Sequence, residues 1–397
     1  MDIKKLTDQY ILHTYKRYPL AIKRAKGSWV WDDQGKKYLD FFSGLAVSGV
    51  GHAMPSVVAA IKAQTGKLLH TSNLYYTEPA ARLAQELCKR SFADKVFFSN
   101  SGSEANECAI KLARRHGWKN GARHEIIVFE NSFHGRTLGA LAATAQPKFH
   151  EGFGPLPEGF PVAKMNDLHS VERLITAKST AILIEPIQGE GGIYTAQKEF
   201  LQGLRKLANA SNLLLMFDEI QCGLGRLGKL FSYEYYGVEP DVLTLAKGLG
   251  GGMPIAATLI KGKYADLLGP GDHGTTFGGN PVCAAAALAI LKLLSPRLLK
   301  SVEAQGKVLQ DEVRTLVANH EQVKEVRGAG FMIGIELTVP GAPYVQACRD
   351  QGLLINCTQG NILRFLPPLA ISAAERQFAL KVLKRVLHTT GGRPQKR

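Results

Sequence analysis

Short apolar segments typical of strands alternate with amphipathic helical segments through the middle of the chain. Runs such as EIIVFE (125–130), AILIEP (181–186) and LLLMFDE (213–219) are short and almost wholly apolar. Between them lie segments with helical periodicity, among them SEANECAIKLARRHG (103–117) and EFLQGLRKLANA (199–210). Parallel strands need such crossovers, and a parallel sheet is buried on both faces. The alternation therefore predicts an α/β fold with a large, mostly parallel sheet and helices on both of its faces.

Beyond residue 295 the order of the elements changes. A long helical segment (299–319) precedes strand-like segments near 331–337, 353–356 and 362–365, and a helical segment near 373–388 ends the pattern. Strands that follow one another without a helix between them are typical of an α+β domain.

This change divides the chain into three predicted parts. We predict a large domain over residues 51–295, a smaller α+β domain over 296–397, and an N-terminal segment over 1–50 that packs with the smaller domain. Within that segment, SWVWDDQGKKYLDFF (28–42) predicts a hairpin whose turn is DDQG.

Charge and cysteine usage restrict the class of partner and the compartment. The 397 residues include 49 Lys and Arg against 34 Asp and Glu, yet no K/R-rich run accompanies the net charge of +15. We therefore expect acidic small molecules, not nucleic acid, as partners. The six cysteines form no C-x-x-C pair, the first residues lack a continuous apolar stretch, and no run of 18 apolar residues occurs. These features favour a reduced, cytoplasmic protein with no metal site and no membrane span.

Two charged side chains follow apolar strands of the predicted sheet. Asp218 lies near the end of LLLMFDE, and Lys247 follows DVLTLA (241–246) directly before GLGGG. The carboxyl ends of parallel strands face the ligand crevice of an open α/β sheet. A carboxylate there can meet a buried cationic nitrogen such as a pyridinium, and a desolvated lysine can act as a nucleophile. Either residue alone is as well explained by the protein surface, so it is their combination that indicates a site.

A glycine pattern follows Asp218 in the same segment. Gly223, Gly225 and Gly228 match G-x-G-x-x-G, the pattern that binds a dinucleotide in nicotinamide-dependent enzymes. The first glycine follows the polar DEIQC instead of the strand end, and GKLFSYEYYG is a poor helix for binding a pyrophosphate. A nicotinamide-dependent oxidoreductase is therefore the distant alternative.

Two further segments suit a flat, phosphorylated ligand. SNSGSEANE (99–107) places small polar residues and Gly102 before a helix whose N-terminal N–H groups can bind a phosphate. Phe133, in NSFHGRT, can stack on a planar ring. Helix capping and loop packing explain the same residues equally well when each segment is taken alone.

In this order the segments resemble one family, the class-III, fold-type-I aminotransferases that use pyridoxal 5'-phosphate. The resemblance runs from TYKRYP through SGSEANE, FHGRT, EPIQGEGG, DEIQCGLGR, LAKGLGGGMP and HGTTFGGNP to LRFLPPL, which is essentially the whole chain. It implies that Lys247 binds the cofactor covalently and that Asp218 keeps the pyridine nitrogen protonated. The other cofactor contacts it implies are Gln221 for the ring hydroxyl, Gly102 and Ser103 for the phosphate, and Phe133 and Ile220 on the two ring faces. Thr276 matches a residue that reaches the phosphate from the neighbouring subunit, which implies a homodimer.

Within the class, the chain most resembles the members of arginine biosynthesis whose amino donor is N2-acetylornithine and whose acceptor is 2-oxoglutarate. Arg136 matches the arginine that binds the substrate carboxylate, and Thr275 matches a residue that lies against the substrate. Glu190 with Arg364 resembles a pair in which the acid masks the arginine until glutamate arrives, and Tyr15 matches a substrate-side tyrosine more loosely. The motifs do not separate acetylornithine from succinyl-diaminopimelate, ornithine or 4-aminobutyrate, because these donors differ in the pocket shape they require.

Overall fold

The computed structural model describes residues 2–390. The helices are α1 (Ile3–Tyr10), α2 (Ser43–Ala46), α3 (Pro55–Thr65), α4 (Glu78–Lys89), α5 (Gly102–Lys119), α6 (Leu138–Ala143), α7 (Leu168–Glu172), α8 (Lys198–Ala210), α9 (Ser232–Tyr236), α10 (Pro281–Leu293), α11 (Pro296–Val317), α12 (Ala342–Asp350) and α13 (Ala373–Thr390). Short 3-10 helices span Pro147–Phe149, Lys247–Leu249 and Gly262–Leu267. The strands are β1 (Ile22–Lys26), β2 (Trp29–Asp32), β3 (Lys37–Asp40), β4 (Lys95–Ser99), β5 (Glu125–Phe129), β6 (Val162–Ala163), β7 (Ser179–Ile184), β8 (Ile187–Gln188), β9 (Tyr194–Thr195), β10 (Leu214–Asp218), β11 (Val242–Leu245), β12 (Ala256–Ile260), β13 (Val323–Ala329), β14 (Met332–Leu337), β15 (Leu353–Leu354), β16 (Asn356–Thr358) and β17 (Ile362–Phe365).

The largest sheet in residues 2–390 has seven strands in the order β4-β12-β11-β10-β7-β5-β6. The pairs β11–β10, β10–β7, β7–β5 and β5–β6 are parallel, whereas β12 is antiparallel to both of its neighbours. The predicted α/β class with a large, mostly parallel sheet is therefore confirmed, with β12 as the exception.

Helices cover both faces of this sheet, as its buried strands require. Successive strand residues point to opposite faces. Met216 of β10 belongs to the hydrophobic cluster that contains Leu112 of α5, and the next residue, Phe217, belongs to the cluster that contains Leu204 of α8. All four side chains are at most 1% exposed. The sheet is therefore fixed between two apolar layers, and only its edges can hold a site.

Three smaller sheets lie outside the large one in residues 2–390, namely two sheets of four strands each and the antiparallel pair β8–β9. The hairpin predicted over 28–42 is formed by β2 and β3, and β3 continues its sheet by pairing in parallel with β15, Leu39 opposite Leu353. The second sheet is antiparallel in the order β13-β14-β17-β16.

The C-terminal strands differ from the prediction in two places. Strand β13 was not predicted, because VKEVRGA has no apolar run and its burial is mixed. The single strand predicted over 353–356 is instead β15 followed by β16, which belong to different sheets. A periodicity of two residues cannot show where a chain leaves one sheet for another.

Chain direction places several loops at one edge of the large sheet. Because β4 and β11 are both antiparallel to β12, β4 runs parallel to β11, β10 and β7. The last residues of these four strands and the residues that follow them therefore lie at the same edge of the sheet. They include Gly102, Glu185, Asp218 and Lys247.

Among residues 2–390, no single helix is both long enough and apolar enough to cross a membrane. The consecutive helices α10 and α11 meet the requirement only when taken together, and they are bent by 68° relative to each other.

Candidate active site

A cavity of about 350 Å³ lies at the edge where β4, β7, β10 and β11 end. Eight of the predicted site residues line it: Gly102, Ser103, Phe133, Glu190, Asp218, Ile220, Gln221 and Lys247. They come from five separate segments of the chain. The fold therefore gathers into one cavity residues that lie up to 145 positions apart, from Gly102 to Lys247.

The Asp218 carboxylate is buried and held by three groups. Its Oδ2 accepts a hydrogen bond from Asn106 Nδ2 at 2.8 Å and lies 2.8 Å from His134 Nδ1, while Oδ1 accepts from the Ile220 N–H at 3.0 Å. The amide of Asn106 is fixed in turn, since its Oδ1 accepts from Thr244 Oγ1 at 2.8 Å. Asp218 therefore presents a fixed carboxylate at the cavity wall. Asn106, Thr244 and His134 were not among the predicted site residues.

Unlike Asp218, the neighbouring Glu219 binds main-chain N–H groups outside the cavity lining. It accepts hydrogen bonds from the N–H groups of Ser232 and Tyr233 at the start of α9, at 2.6 and 2.7 Å. Burial raises its pKa to about 7, against the lowering effect of these hydrogen bonds. Glu219 fixes the polypeptide behind the cavity, so of the two adjacent acids only Asp218 faces a ligand.

Lys247 begins a 3-10 helix with φ of 40°, a left-handed conformation that is strained for a residue with a side chain. Burial lowers the pKa of its ammonium group, although the nearby carboxylates of Glu190 and Asp218 act in the opposite direction. A lowered pKa increases the fraction of neutral amine, which is the nucleophilic form. The position of Lys247 in the cavity, its strained backbone and its lowered pKa all favour a reactive lysine.

The N-terminus of α5 opens onto the same cavity. Ser101 is its N-cap, with Oγ accepting from the Glu104 N–H at 3.3 Å. The first N–H groups of a helix have no partner within the helix, and they favour an anion. A Cβ on Gly102 would lie 2.9 Å from Ile220 Cδ1, so only glycine fits here without moving Ile220. Ser103 Oγ is oriented by the Arg136 N–H, which donates to it at 3.1 Å.

Glu185 is a cavity residue that the sequence analysis missed. The Phe133 N–H donates to Glu185 Oε2 at 2.9 Å, which fixes the backbone at the phenyl ring. Burial raises the pKa of Glu185 well above its usual value, and the negative charge of Asp218 adds to this effect. Glu185 directly follows β7 (Ser179–Ile184) as Asp218 ends β10, so its position at the end of an apolar strand could have identified it in the same way.

Glu190 lines the cavity and forms an ion pair with Arg364, which lies outside the lining, with Glu190 Oε1 2.6 Å from Arg364 Nη1. Arg364 is fully buried, and its Nη1 also donates to Gln221 Oε1 at 3.1 Å. Gln221 Nε2 donates to Glu190 Oε1 at 3.2 Å, so the three side chains form a closed triangle. Burial raises the pKa of Glu190, but the charges of Arg364 and Lys247 outweigh it and hold that pKa below its usual value.

Five predicted substrate or cofactor residues lie outside the cavity lining, and one of them is Arg364, which is fully buried and paired with the lining residue Glu190. Arg136 is exposed, with its guanidinium 4.0 Å from the centre of the Phe149 ring. Thr275 lies next to the cavity, because its Oγ1 accepts a hydrogen bond from Nδ2 of the cavity residue Asn100 at 3.0 Å. Thr276 is exposed. Tyr15 is 73% exposed and lines a different cavity, between the N-terminal segment and Arg349.

The glycine pattern at 223–228 has a packing explanation. A Cβ on Gly225 would lie 2.9 Å from Leu369 Cδ1, and one on Gly228 would lie 2.6 Å from Glu303 Cβ. Both glycines have positive φ, 93° and 84°, in a turn that comes before α9. The turn is filled by its neighbours and does not face the cavity as a dinucleotide loop does, so the dinucleotide interpretation is wrong.

Comparison with known proteins gives consistent results over the whole chain. A family model described as aminotransferase class-III matches residues 10–387. Acetylornithine aminotransferase of Methanocaldococcus jannaschii is 49% identical over 390 residues, with 97% of each chain covered. Succinylornithine transaminase of Yersinia pseudotuberculosis is 47% identical over 381 residues, covering 93% of this chain and 92% of its own. The ornithine aminotransferase structure from Toxoplasma gondii has a TM-score of 0.94 at 31% identity, covering 98% of this chain and 94% of its own.

Proposed function

The chain belongs to the class-III aminotransferases, enzymes of fold type I that depend on pyridoxal 5'-phosphate, and on that premise we propose its substrates. The proposed reaction moves the δ-amino group of N2-acetyl-L-ornithine to 2-oxoglutarate. Its products are N-acetyl-L-glutamate 5-semialdehyde and L-glutamate, and the reaction would serve arginine biosynthesis. The observation that carries this proposal is the Glu190–Arg364 ion pair beside Lys247, together with relatives at 44–49% identity that are named acetylornithine aminotransferases.

The residues of the cavity fit the cofactor. Asp218 offers a fixed carboxylate for a protonated ring nitrogen, and the N-terminus of α5 at Gly102 and Ser103 offers N–H groups for a phosphate. Phe133 and Ile220 offer apolar surfaces for a planar ring, Gln221 an amide for its hydroxyl, and Lys247 an amine for its aldehyde. When bound, pyridoxal 5'-phosphate supplies an electron sink for the carbon that loses its proton.

We assign two proton-related roles to the protein: Lys247 moves the proton of the substrate carbon, and Asp218 retains the proton of the ring nitrogen. Lys247 Nζ would take the proton from the substrate carbon, a role for which the lowered pKa suits this amine. Asp218 would keep the ring nitrogen of the cofactor protonated through its negative charge, and Asn106 and His134 hold this carboxylate in place. The site thereby holds opposite charges at defined places before the substrate binds.

The Glu190–Arg364 pair allows one site to accept two differently charged substrates. With Glu190 on Arg364, the cavity wall is neutral and suits the uncharged acyl end of the donor. When Glu190 moves away, Arg364 can bind the second carboxylate of glutamate or 2-oxoglutarate in a bidentate manner. Arg364 Nη2 is buried and has no hydrogen-bond partner among residues 2–390, so it offers an unused donor for that carboxylate once Glu190 has moved away.

Measuring each half-reaction separately tests this function. We expect the absorbance of the bound cofactor to change with acetylornithine and, in the reverse direction, with glutamate. Arg364→Ala should raise KM for 2-oxoglutarate by on the order of 10² and leave the acetylornithine step nearly unchanged, since a buried arginine–carboxylate pair contributes a few kcal/mol. Arg136→Ala should weaken both steps, and Glu190→Ala should favour glutamate over the donor.

Two outcomes would contradict these proposals in different ways. If Arg364→Ala slows the acetylornithine step as much as the 2-oxoglutarate step, the masking role of Glu190 is wrong. If the wild-type enzyme reacts with succinylornithine, ornithine or 4-aminobutyrate in preference to acetylornithine, the proposed donor is wrong. Succinylornithine is the second candidate, because a relative at 47% identity is named for it.

We also propose that the enzyme is a homodimer in which Thr276 completes the cofactor site of the partner subunit. Thr276 is exposed, and Phe277, Leu74 and Tyr76 are exposed large apolar side chains that a dimer interface would cover. Co-expression of Thr276→Ala and Lys247→Ala chains gives hybrid dimers with one intact site. We expect these mixtures to recover about a quarter of wild-type activity, above that of either variant alone. No recovery in dimers verified by sedimentation would contradict the role of Thr276 across the interface.

A further inference from the structure

The backbone of Glu190 is held by the turn between β16 and β17. Its carbonyl oxygen accepts two hydrogen bonds from this turn, one from Thr358 Oγ1 at 2.6 Å and one from Gln359 Nε2 at 2.7 Å. Two residues further on, the Gly192 carbonyl accepts from Nε of the buried Arg327 at 2.8 Å. The segment that carries the Glu190 carboxylate is thus attached to the small antiparallel sheet through its main chain.

Gln359 is an unusual residue for its backbone position. It has φ of 52°, and Gly360 follows with φ of 83°. Glycine adopts such angles without strain, whereas the side chain of a residue such as glutamine makes them unfavourable. The side chain must therefore contribute something that glycine cannot.

The amide of Gln359 is saturated by groups from the large sheet domain. Besides Glu190 O, its Nε2 donates to Gln146 Oε1 at 3.0 Å, and its Oε1 accepts from Lys148 Nζ at 2.9 Å. Gln146 in turn donates to the carbonyl oxygen of Ser132 at 3.1 Å, next to the cavity residue Phe133. One side chain thereby connects the segment of Glu190 with the loop that carries Phe133.

We propose that Gln359, assisted by Thr358, is a positioning residue that holds Glu190 over Arg364 and so sets the preference between the two amino substrates. This proposal rests on the proposed function of the Glu190–Arg364 pair. Each donor to Glu190 O stabilises the arrangement in which Arg364 is masked. Their loss should move the equilibrium towards unmasked Arg364, which favours glutamate and disfavours the uncharged end of the donor.

Gln359→Gly separates positioning from folding, because it removes the side chain and relieves the strained φ. We expect only a small change of the melting temperature, because relief of the strained φ offsets part of the stability lost with the side-chain hydrogen bonds. The ratio of kcat/KM for acetylornithine to kcat/KM for glutamate, measured in separate half-reactions, should fall by about fivefold, the effect of one net hydrogen bond. Ala122→Gly is the matched control, because Ala122 also has positive φ, 59°, but is exposed at the far end of α5. It should leave the ratio unchanged.

Thr358 provides a second pair of variants. Thr358→Val removes the hydroxyl with little change of shape and should lower the same ratio, whereas Thr358→Ser keeps the hydroxyl and should restore it. Hydrogen exchange supplies a readout that does not depend on turnover. In Gln359→Gly we expect faster exchange of the main-chain N–H groups of residues 189–193, with and without bound cofactor.

Failure of the positioning role of Gln359 and failure of the proposed amino donor give different results. The positioning role of Gln359 would be overturned if the ratio stays unchanged, including the case in which kcat/KM falls equally in both half-reactions. It would also be overturned if hydrogen exchange of the main-chain N–H groups of residues 189–193 stays unchanged. If the wild-type enzyme reacts with a different ω-amino donor, the proposed donor fails, and the same ratio measured with that donor still tests Gln359.

Discussion

Lys247→Ala should reduce kcat by at least roughly 10⁴, since it removes both the covalent attachment and the proton carrier. The variant should still fold and bind the cofactor, because the contacts offered by Asp218, Phe133 and the N-terminus of α5 remain. Borohydride reduction of the wild-type enzyme followed by peptide mapping should place the pyridoxyl group on Lys247.

A matched control exists one strand further along the chain. Lys261 follows β12 as Lys247 follows β11, but it forms a 2.6 Å ion pair with Glu239 on the surface. Lys261→Ala should keep kcat near the wild-type value. A pyridoxyl label on Lys261 or any other lysine, or substantial turnover by Lys247→Ala, would show that Lys247 is not the reactive residue.

Asp218→Asn should lower kcat by on the order of 10² or more, because the ring nitrogen would lose the charge that keeps it protonated. The structure adds a second reason. Both carboxylate oxygens accept from a donor, so in either orientation the NH₂ group of the new amide would face another donor, Asn106 Nδ2 or the Ile220 N–H. Cofactor affinity should therefore fall as well, which a titration of the apoenzyme with pyridoxal 5'-phosphate measures.

Glu219→Gln is the control for Asp218→Asn. Both changes neutralise a buried acid, but Glu219 binds the N–H groups at the start of α9 and does not face the cavity. We expect Glu219→Gln to alter the melting temperature and to leave kcat within a few-fold of wild type. If Asp218→Asn behaves in the same way, Asp218 is only the end of a buried strand.

The large sheet could be predicted because its strands are short, apolar and separated by clear helices. The direction of β12 could not, since periodicity carries no information about direction. A signal was nevertheless present, because only ten residues separate β11 from β12, too few for the crossover that a parallel pair needs. Strand β13 was missed for another reason, namely that its charged residues interrupt any apolar run.

The site was predictable where position along a strand decided it and unpredictable where tertiary contacts did. Asp218 and Lys247 were selected because they follow apolar strands, and their roles stay predictions until the variants are measured. Asn106 lies inside helix α5, and nothing in its local sequence indicates that it binds Asp218, 112 positions away. Thr358 and Gln359 were not considered at all, because a hairpin turn explains them locally and only the fold brings them to Glu190.

The pairing of β3 with β15 bears on how the protein is made. Leu39 lies opposite Leu353, so β3 has no partner on this side until β15 leaves the ribosome, more than three hundred residues later. Until then β3 is the unprotected edge of a three-stranded ribbon, an arrangement that favours pairing with other chains. This sheet is completed only after residues 353 and 354 have been synthesised, and a chain that stops before residue 353 cannot complete it.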